Sequence, residues 1–132
     1  MSHILEALEV TVTADRRRVD FAAGCLVGAA CGDCGWATWP QRALCARCGS
    51  AAMSVSELRG PGELSTWTTV WTSLPDVPAP YSMGLLMVDG IRIFGHLRGD
   101  LESLHEGSLM RLVVNEGSVP PYWFETIEEA AA

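Results

Sequence analysis

The sequence contains no lysine. All nine of its basic residues are arginines, set against sixteen Asp and Glu, so the formal net charge is −7 at pH 7. A protein whose main ligand is a polyanion usually carries a basic stripe, and this deficit argues against a dominant nucleic-acid role. A long apolar run is missing too. The stretch of lowest polarity, residues 21–31, is broken by Gly24 and Gly28 and falls well short of the roughly 20 residues a membrane-spanning helix needs. The first fifteen residues carry Glu6, Glu9 and Asp15 without a basic n-region, so no secretion signal is expected and the cytoplasm is the expected compartment. There is no glycine-rich phosphate loop and no dinucleotide fingerprint; Gly60-Pro61-Gly62 reads as a turn. Internal repeats are absent, and low complexity is confined to the Glu-Glu-Ala-Ala-Ala tail.

What remains is an ordinary globular composition. The 132 residues are 48% hydrophobic and 19% charged, enough for one domain or two very small ones. A chain of this size buries roughly two-thirds of its extended surface, which suffices for a core.

Three stretches differ in character. Residues 1–26 read as an arm, with a short helical pattern at Ile4, Leu5 and Leu8, alternation at Val10 and Val12, and a charged turn from Asp15 to Arg18. Residues 27–52 are rich in Gly, Cys and turn formers and show almost no periodicity, so this segment needs a staple. Residues 53–128 read as strands separated by turns: Met53–Leu58, Glu63–Ser73, Tyr81–Val88, Ile91–Arg98, Leu109–Val114 and Tyr122–Ile127. Asp89-Gly90 is a two-residue hairpin signal, and Leu101–His105 offers one helical turn. Five or six short strands without a long helix favour a small closed barrel, because an open sheet would leave bare edges. Residues 129–132 form a frayed tail.

The staple is legible. Cys31-Gly32-Asp33-Cys34-Gly35 and Cys45-Ala46-Arg47-Cys48-Gly49 are two copies of one knuckle. Two cysteines two residues apart place both sulfurs on one side of a tight turn. The glycine that follows accepts the positive φ there and lets backbone N–H groups approach the thiolates. Two such knuckles close a tetrahedral four-sulfur cage that suits structural Zn²⁺, and iron is the chemical rival in the same cage. With four protein ligands the ion has no open position for substrate. Cys25 lies outside both knuckles and reads as a buried small hydrophobe.

Catalytic machinery is harder to find. His3, His96 and His105 sit in no nucleophile–base signature. His96 shares a strand face with Arg92, Phe94 and Arg98, opposite Ile91, Ile93 and Leu97, and reads as barrel exterior. Trp67 and Trp71 fall on one strand face with Thr69, either as barrel core or as an exposed pair for docking. The loop Ser73–Tyr81 is apolar, poor in charge and stiffened by Pro75, Pro78 and Pro80, which suits contact with another surface.

The order of these parts carries a resemblance. The knuckles, the Trp39-Pro40-Gln41-Arg42 element between them, Leu58-Arg59-Gly60-Pro61-Gly62-Glu63-Leu64 and the Thr-rich strand Thr66–Thr72 follow one another. Pro80-Tyr81, Val88-Asp89-Gly90-Ile91, Gly95 and Glu106-Gly107 complete the set. Over residues 26–127 the chain resembles the zinc-ribbon/OB-fold proteins that accompany thiolase-like acyl-CoA enzymes. The resemblance implies a mainly β protein: an N-terminal arm, a rubredoxin-like zinc ribbon held by Cys31, Cys34, Cys45 and Cys48, and a small OB-fold barrel. It further implies a non-catalytic subunit that shapes an acyl-CoA channel while a thiolase-like partner supplies the reactive groups, with no nucleic acid and no membrane involved. Contacts to acyl-CoA or to the partner then fall to Trp39, Arg42, Trp67, Trp71 and Tyr81. Independent acyl-CoA binding is the alternative, and single-stranded nucleic-acid binding the remoter one.

Overall fold

The computed structural model describes residues 17–127. The helical or irregular arm expected before them, and the tail after, lie outside the described residues. Nine strands follow in chain order: β1 Val19–Asp20, β2 Cys25–Cys31, β3 Ala37–Thr38, β4 Met53–Leu58, β5 Gly62–Val70, β6 Tyr81–Val88, β7 Ile91–Arg98, β8 Leu109–Val114 and β9 Tyr122–Thr126. A single 3₁₀ turn, Leu101–Ser103, sits where the sequence predicts one helical turn.

The first sheet is built around β2. Its residues from Cys25 to Ala29 are all buried, a continuous apolar run rather than an alternating one. Strands β1 and β3 pair with its two ends, and β4 runs antiparallel to it from Leu26↔Leu58 to Cys31↔Met53. Gly28 is required here, since a Cβ at that position would lie 2.5 Å from the Thr38 carbonyl oxygen.

This pairing corrects the division of the chain. Residues 53–128 read as one run of strands, yet Met53–Leu58 belongs to the first sheet, and the closed barrel starts at Gly62. Val19, Asp20, Cys25 and Leu26, assigned to the arm, also sit in that sheet. Strand character is local, whereas the choice of partner depends on contacts distant in sequence.

The barrel closes in the order β5-β6-β7-β9-β8, with β7 and β9 parallel and every other pair antiparallel. This is a five-stranded OB-like barrel. Strict alternation in β7 places Ile91, Ile93 and Leu97 inside and leaves Arg92, Phe94 and Arg98 exposed, as the sequence pattern predicts. A bulge between Leu64 and Thr66 changes the parity of β5. Leu64 opposes Leu86 and Trp67 opposes Gly84, so both point to the inner side, whereas Thr66 and Thr68 share the outer side with Leu85 and Met83. Plain alternation sets Leu64 apart from Trp67, because it counts residues without the bulge.

One core serves both sheets. Leu26 of β2 and Leu58 of β4 pack in the same cluster as Leu64, Leu86, Val88, Ile93, Met110 and Phe124 of the barrel. Trp39 reinforces the junction: its indole N–H donates to the Arg18 carbonyl at 2.9 Å, and its ring meets Tyr122 edge-on at 5.4 Å. The Tyr122 hydroxyl in turn donates to the Phe94 carbonyl at 2.7 Å.

Candidate metal centre

At the end of β2 away from Leu26, the chain turns through the first knuckle, and the second knuckle folds against it. Gly35 N–H donates to the Cys31 carbonyl at 3.0 Å and Gly49 N–H to the Cys45 carbonyl at 2.8 Å, so the two turns are built alike. Both glycines hold a left-handed conformation, with φ of 80° and 78°, where a side chain would be strained. The knuckles bring four thiols together: Cys31, Cys34, Cys45 and Cys48, all within 4.8 Å of one another. Cys31 Sγ lies 3.6 Å from Cys48 Sγ, and Cys34 Sγ 3.5 Å from Cys45 Sγ. A tetrahedral ion with metal–sulfur bonds of about 2.3 Å sets its ligand sulfurs about 3.8 Å apart. The cage therefore fits zinc closely.

The backbone prepares the sulfurs for charge. Asp33 N–H donates to Cys31 Sγ at 3.4 Å, and Arg47 and Cys48 N–H donate to Cys45 Sγ at 3.3 and 3.4 Å. Hydrogen bonding from the Cys34 backbone, against the opposing effect of burial, brings the Cys31 thiol down to about 6. Cys48 goes the other way, to about 12: the Ser50 backbone lowers it, but burial and the three neighbouring sulfurs outweigh that. A site that ionises one thiol readily and resists the last is one that a dication completes.

Residues 22–54 match the ChsH2 rubredoxin-like zinc ribbon domain. This segment is similar to that zinc ribbon, and its four-cysteine cluster is a structural Zn²⁺ site. A search of curated proteins returned no match. Among solved structures, a chain of the Ltp2-ChsH2(DUF35) aldolase is similar at a TM-score of 0.65 and 22% identity, covering 77% of this chain and 84% of that one. A protein of unknown function from the DUF35 family of Sulfolobus solfataricus is similar at 0.57 and 16% identity, covering 93% and 98%. At these identities the two likenesses establish a shared fold.

One feature of the ribbon has no linear signature. The Ser50 hydroxyl, just past the second knuckle, donates to the Asp33 carboxylate inside the first, and also accepts the Ala52 N–H at 3.0 Å. Gly32 N–H donates to the Ala52 carbonyl at 2.7 Å. These bonds latch knuckle to knuckle. Because outer partners of metal ligands typically contribute 10–100-fold in affinity, Asp33→Asn and Ser50→Ala are each expected to speed zinc release to a chelator by roughly tenfold, read with a chromogenic zinc indicator.

The other sequence-predicted residues do not converge on one site. Arg42 is exposed and makes no hydrogen bond or ion pair among the described residues. Trp67, within β5, is 38% exposed, and Trp71, beyond the end of β5, is 77% exposed. The two indoles are therefore exposed rather than core. Tyr81 stacks on His96 at 5.2 Å. Both line a cavity of about 400 Å³ with Asp76, Pro78, Arg98 and Val119. Burial, then the nearby Arg98 charge, holds the His96 pKa below its ordinary value. No carboxylate reaches His96 by a hydrogen bond among the described residues. His105 is exposed, its Nδ1 2.9 Å from the Glu106 carbonyl. Cys25 is fully buried, and burial raises its pKa, which makes it a poor nucleophile and fits the reading as a small hydrophobe. Among the described residues, no helix is long and apolar enough to cross a membrane.

Proposed function

We propose that this chain is the non-catalytic subunit of a thiolase-like acyl-CoA enzyme, in which it completes the acyl-CoA channel and stabilises the catalytic partner in the cytoplasm. The observation that carries the reading is the combination of a ChsH2-type ribbon with the fold of a chain from an aldolase assembly. The chemistry of the chain supports it. Its metal is enclosed by four protein ligands, and among the described residues His96 and His105 lack the paired groups that acid–base or nucleophilic catalysis needs. Trp39, Arg42, Trp67, Trp71 and Tyr81 are the contacts with acyl-CoA or with the partner. The ribbon and the barrel act as the two functional parts of the chain. The apolar cavity beside Tyr81 also supports a second reading, in which the chain binds acyl-CoA by itself.

The test compares the chain, a thiolase-like protein offered as its partner and their mixture, each with 3-ketoacyl-CoA and 3-hydroxyacyl-CoA substrates. Activity confined to the mixture is the expected result; turnover by this chain alone overturns the proposal. In the mixture, His96→Ala, His105→Ala and Cys25→Ala are each expected to keep kcat within about tenfold, because loss of an acid–base catalyst costs about 10²–10⁴-fold. Isothermal titration of the isolated chain with acetyl-CoA separates the second reading from the first.

A further inference from the structure

The first sheet, unlike the barrel, does not close. Strand β4 pairs with β2 along its whole length, and no strand among the described residues pairs with its other side. The register shows which backbone groups face that open side. Gly32 N–H donates to the Ala52 carbonyl at 2.7 Å, and these two residues extend the β2–β4 pairing by one step. Backbone bonding alternates along an antiparallel pair, so Ser54, Ser56 and Leu58 are the β4 residues that bond to β2. The far side of β2 obeys the same alternation. There Cys31 N–H donates to the Trp36 carbonyl at 2.7 Å and Val27 N–H to the Arg18 carbonyl at 2.8 Å. Cys31 and Val27 are the residues opposite Met53 and Glu57. Met53, Val55 and Glu57 therefore turn their N–H and C=O groups to the open edge, where none has a partner among the described residues.

Such an edge is normally guarded by lysine, proline, a bulge or a covering segment. Strand β4 has no lysine, no proline and an unbroken register. Its one charge, Glu57, is paired with Arg59 at 2.6 Å. Val55, at the middle of the open edge, is 46% exposed. Ser54 shares the barrel side of the sheet with the core residue Leu58, yet it is exposed. The barrel does not overhang this half of the strand.

We infer that this edge pairs with β4 of a second copy of the chain, antiparallel across a two-fold axis at Val55, joining two ribbon sheets into one. Unpaired backbone groups call for an extended strand, and the register selects this one. With Val55 opposite Val55, Met53 of each copy lies opposite Glu57 of the other. Every outward residue of both strands is then in a doubly hydrogen-bonded pair. A shift of two residues in either direction leaves one outward residue of each strand without a partner inside the other strand. One of those shifts also calls on the Arg59 N–H, which already donates to Asp89 at 2.9 Å. Side chains agree with the unshifted register: the exposed valines meet on the axis, Ser54 faces Ser56, and no like charges oppose each other. In a chain of net charge −7, the Glu57–Arg59 pair keeps this edge locally neutral, so two copies can approach along it. A single strand pair is a small interface, and the association is weak and reversible. It needs no third protein and is independent of the accessory role.

Sedimentation velocity of the full-length zinc-loaded chain from about 10 µM to about 1 mM spans the affinity range of a weak dimer. Monomer giving way to dimer over this range is the expected result. Amide exchange at Met53, Val55 and Glu57, read by NMR, should slow about threefold or more between the two ends, while Ser54, Ser56 and Leu58 change little. Val55→Pro removes one outward N–H per copy without touching a bond to β2, and Val55→Lys sets two like charges side by side. Each should weaken dimerisation about tenfold or more. Phe94→Lys, at an exposed apolar position on the barrel, should leave it unchanged. Zinc content and retained protection at Ser54 and Ser56 establish that a variant is folded, and Val55→Lys decides the matter where the proline variant is not. A chain that stays monomeric at the highest concentration overturns the inference. So does a dimer that survives in the folded Val55 variants, or one that Phe94→Lys abolishes. Protection of Met53, Val55 and Glu57 that appears only on adding a thiolase-like protein overturns the choice of a second copy.

Discussion

Replacing Cys34 or Cys45 by serine is expected to release the metal and dissolve the ribbon. Zinc binding to four thiolates supplies on the order of 10 kcal/mol of folding free energy in small finger peptides. A whole domain is stable by only about 5–15 kcal/mol, so a loss of that order exceeds what residues 28–50 can recover by packing. Elemental analysis should fall from one zinc per chain to below about one-tenth, and amide protection along β2 and β4 should fall with it. The barrel is not insulated from this event. Leu26 and Leu58 come from the ribbon's own strands yet sit in the barrel's core. Losing buried leucine packing costs about 2–5 kcal/mol per residue, so the barrel is expected to persist with a clearly lowered melting temperature. Wild-type protein that is purified without chelators and contains neither zinc nor iron would refute the metal assignment. A serine variant that keeps full protection along β2 would refute the claim that the metal folds the ribbon.

The same residues show why part of this molecule is readable from its sequence. The knuckles are local objects. Each needs two sulfurs, two spacer residues and a glycine able to take positive φ, and Gly35 and Gly49 take it. The hairpin at Asp89-Gly90 is local in the same way, with φ of 51° and 84° at the two positions. Strand β2 is harder to read. Buried on both faces from Cys25 to Ala29, it has no alternation to display there, and Gly24 and Gly28 make Phe21–Cys31 resemble a loop rather than the centre of a sheet. The parity of β5 is hidden because a bulge leaves no periodic trace. Asp33 and Ser50 lie seventeen residues apart, and only the folded knuckles bring them together. Beyond the cage, candidate contacts can be named by residue type, but their scatter over ribbon, strand and loop is a property of the topology.

The barrel's interior turns on one aromatic ring, and its removal is the second large effect expected. Phe124 is fully buried, and its two edges press against the backbones of two glycines. A Cβ on Gly62 of β5 would lie 3.0 Å from Phe124 Cε1, and one on Gly95 of β7 would lie 2.7 Å from Cε2. Neither glycine has a positive φ, so each is required by space rather than by conformation. The ring thus occupies volume that side chains on two other strands have vacated. Phe124→Ala should cost about 3–5 kcal/mol, since the surrounding backbone cannot collapse into the void. Gly95→Ala should cost about 1–3 kcal/mol by overpacking. The two changes act on the same space, so they should not add. The methyl group that Gly95→Ala introduces enters part of the cavity left by Phe124→Ala, and the double variant should be more stable than the sum predicts by about 0.5–3 kcal/mol. Urea unfolding of the four proteins in saturating zinc measures this directly. Strict additivity would mean that the ring and the glycine do not share this space.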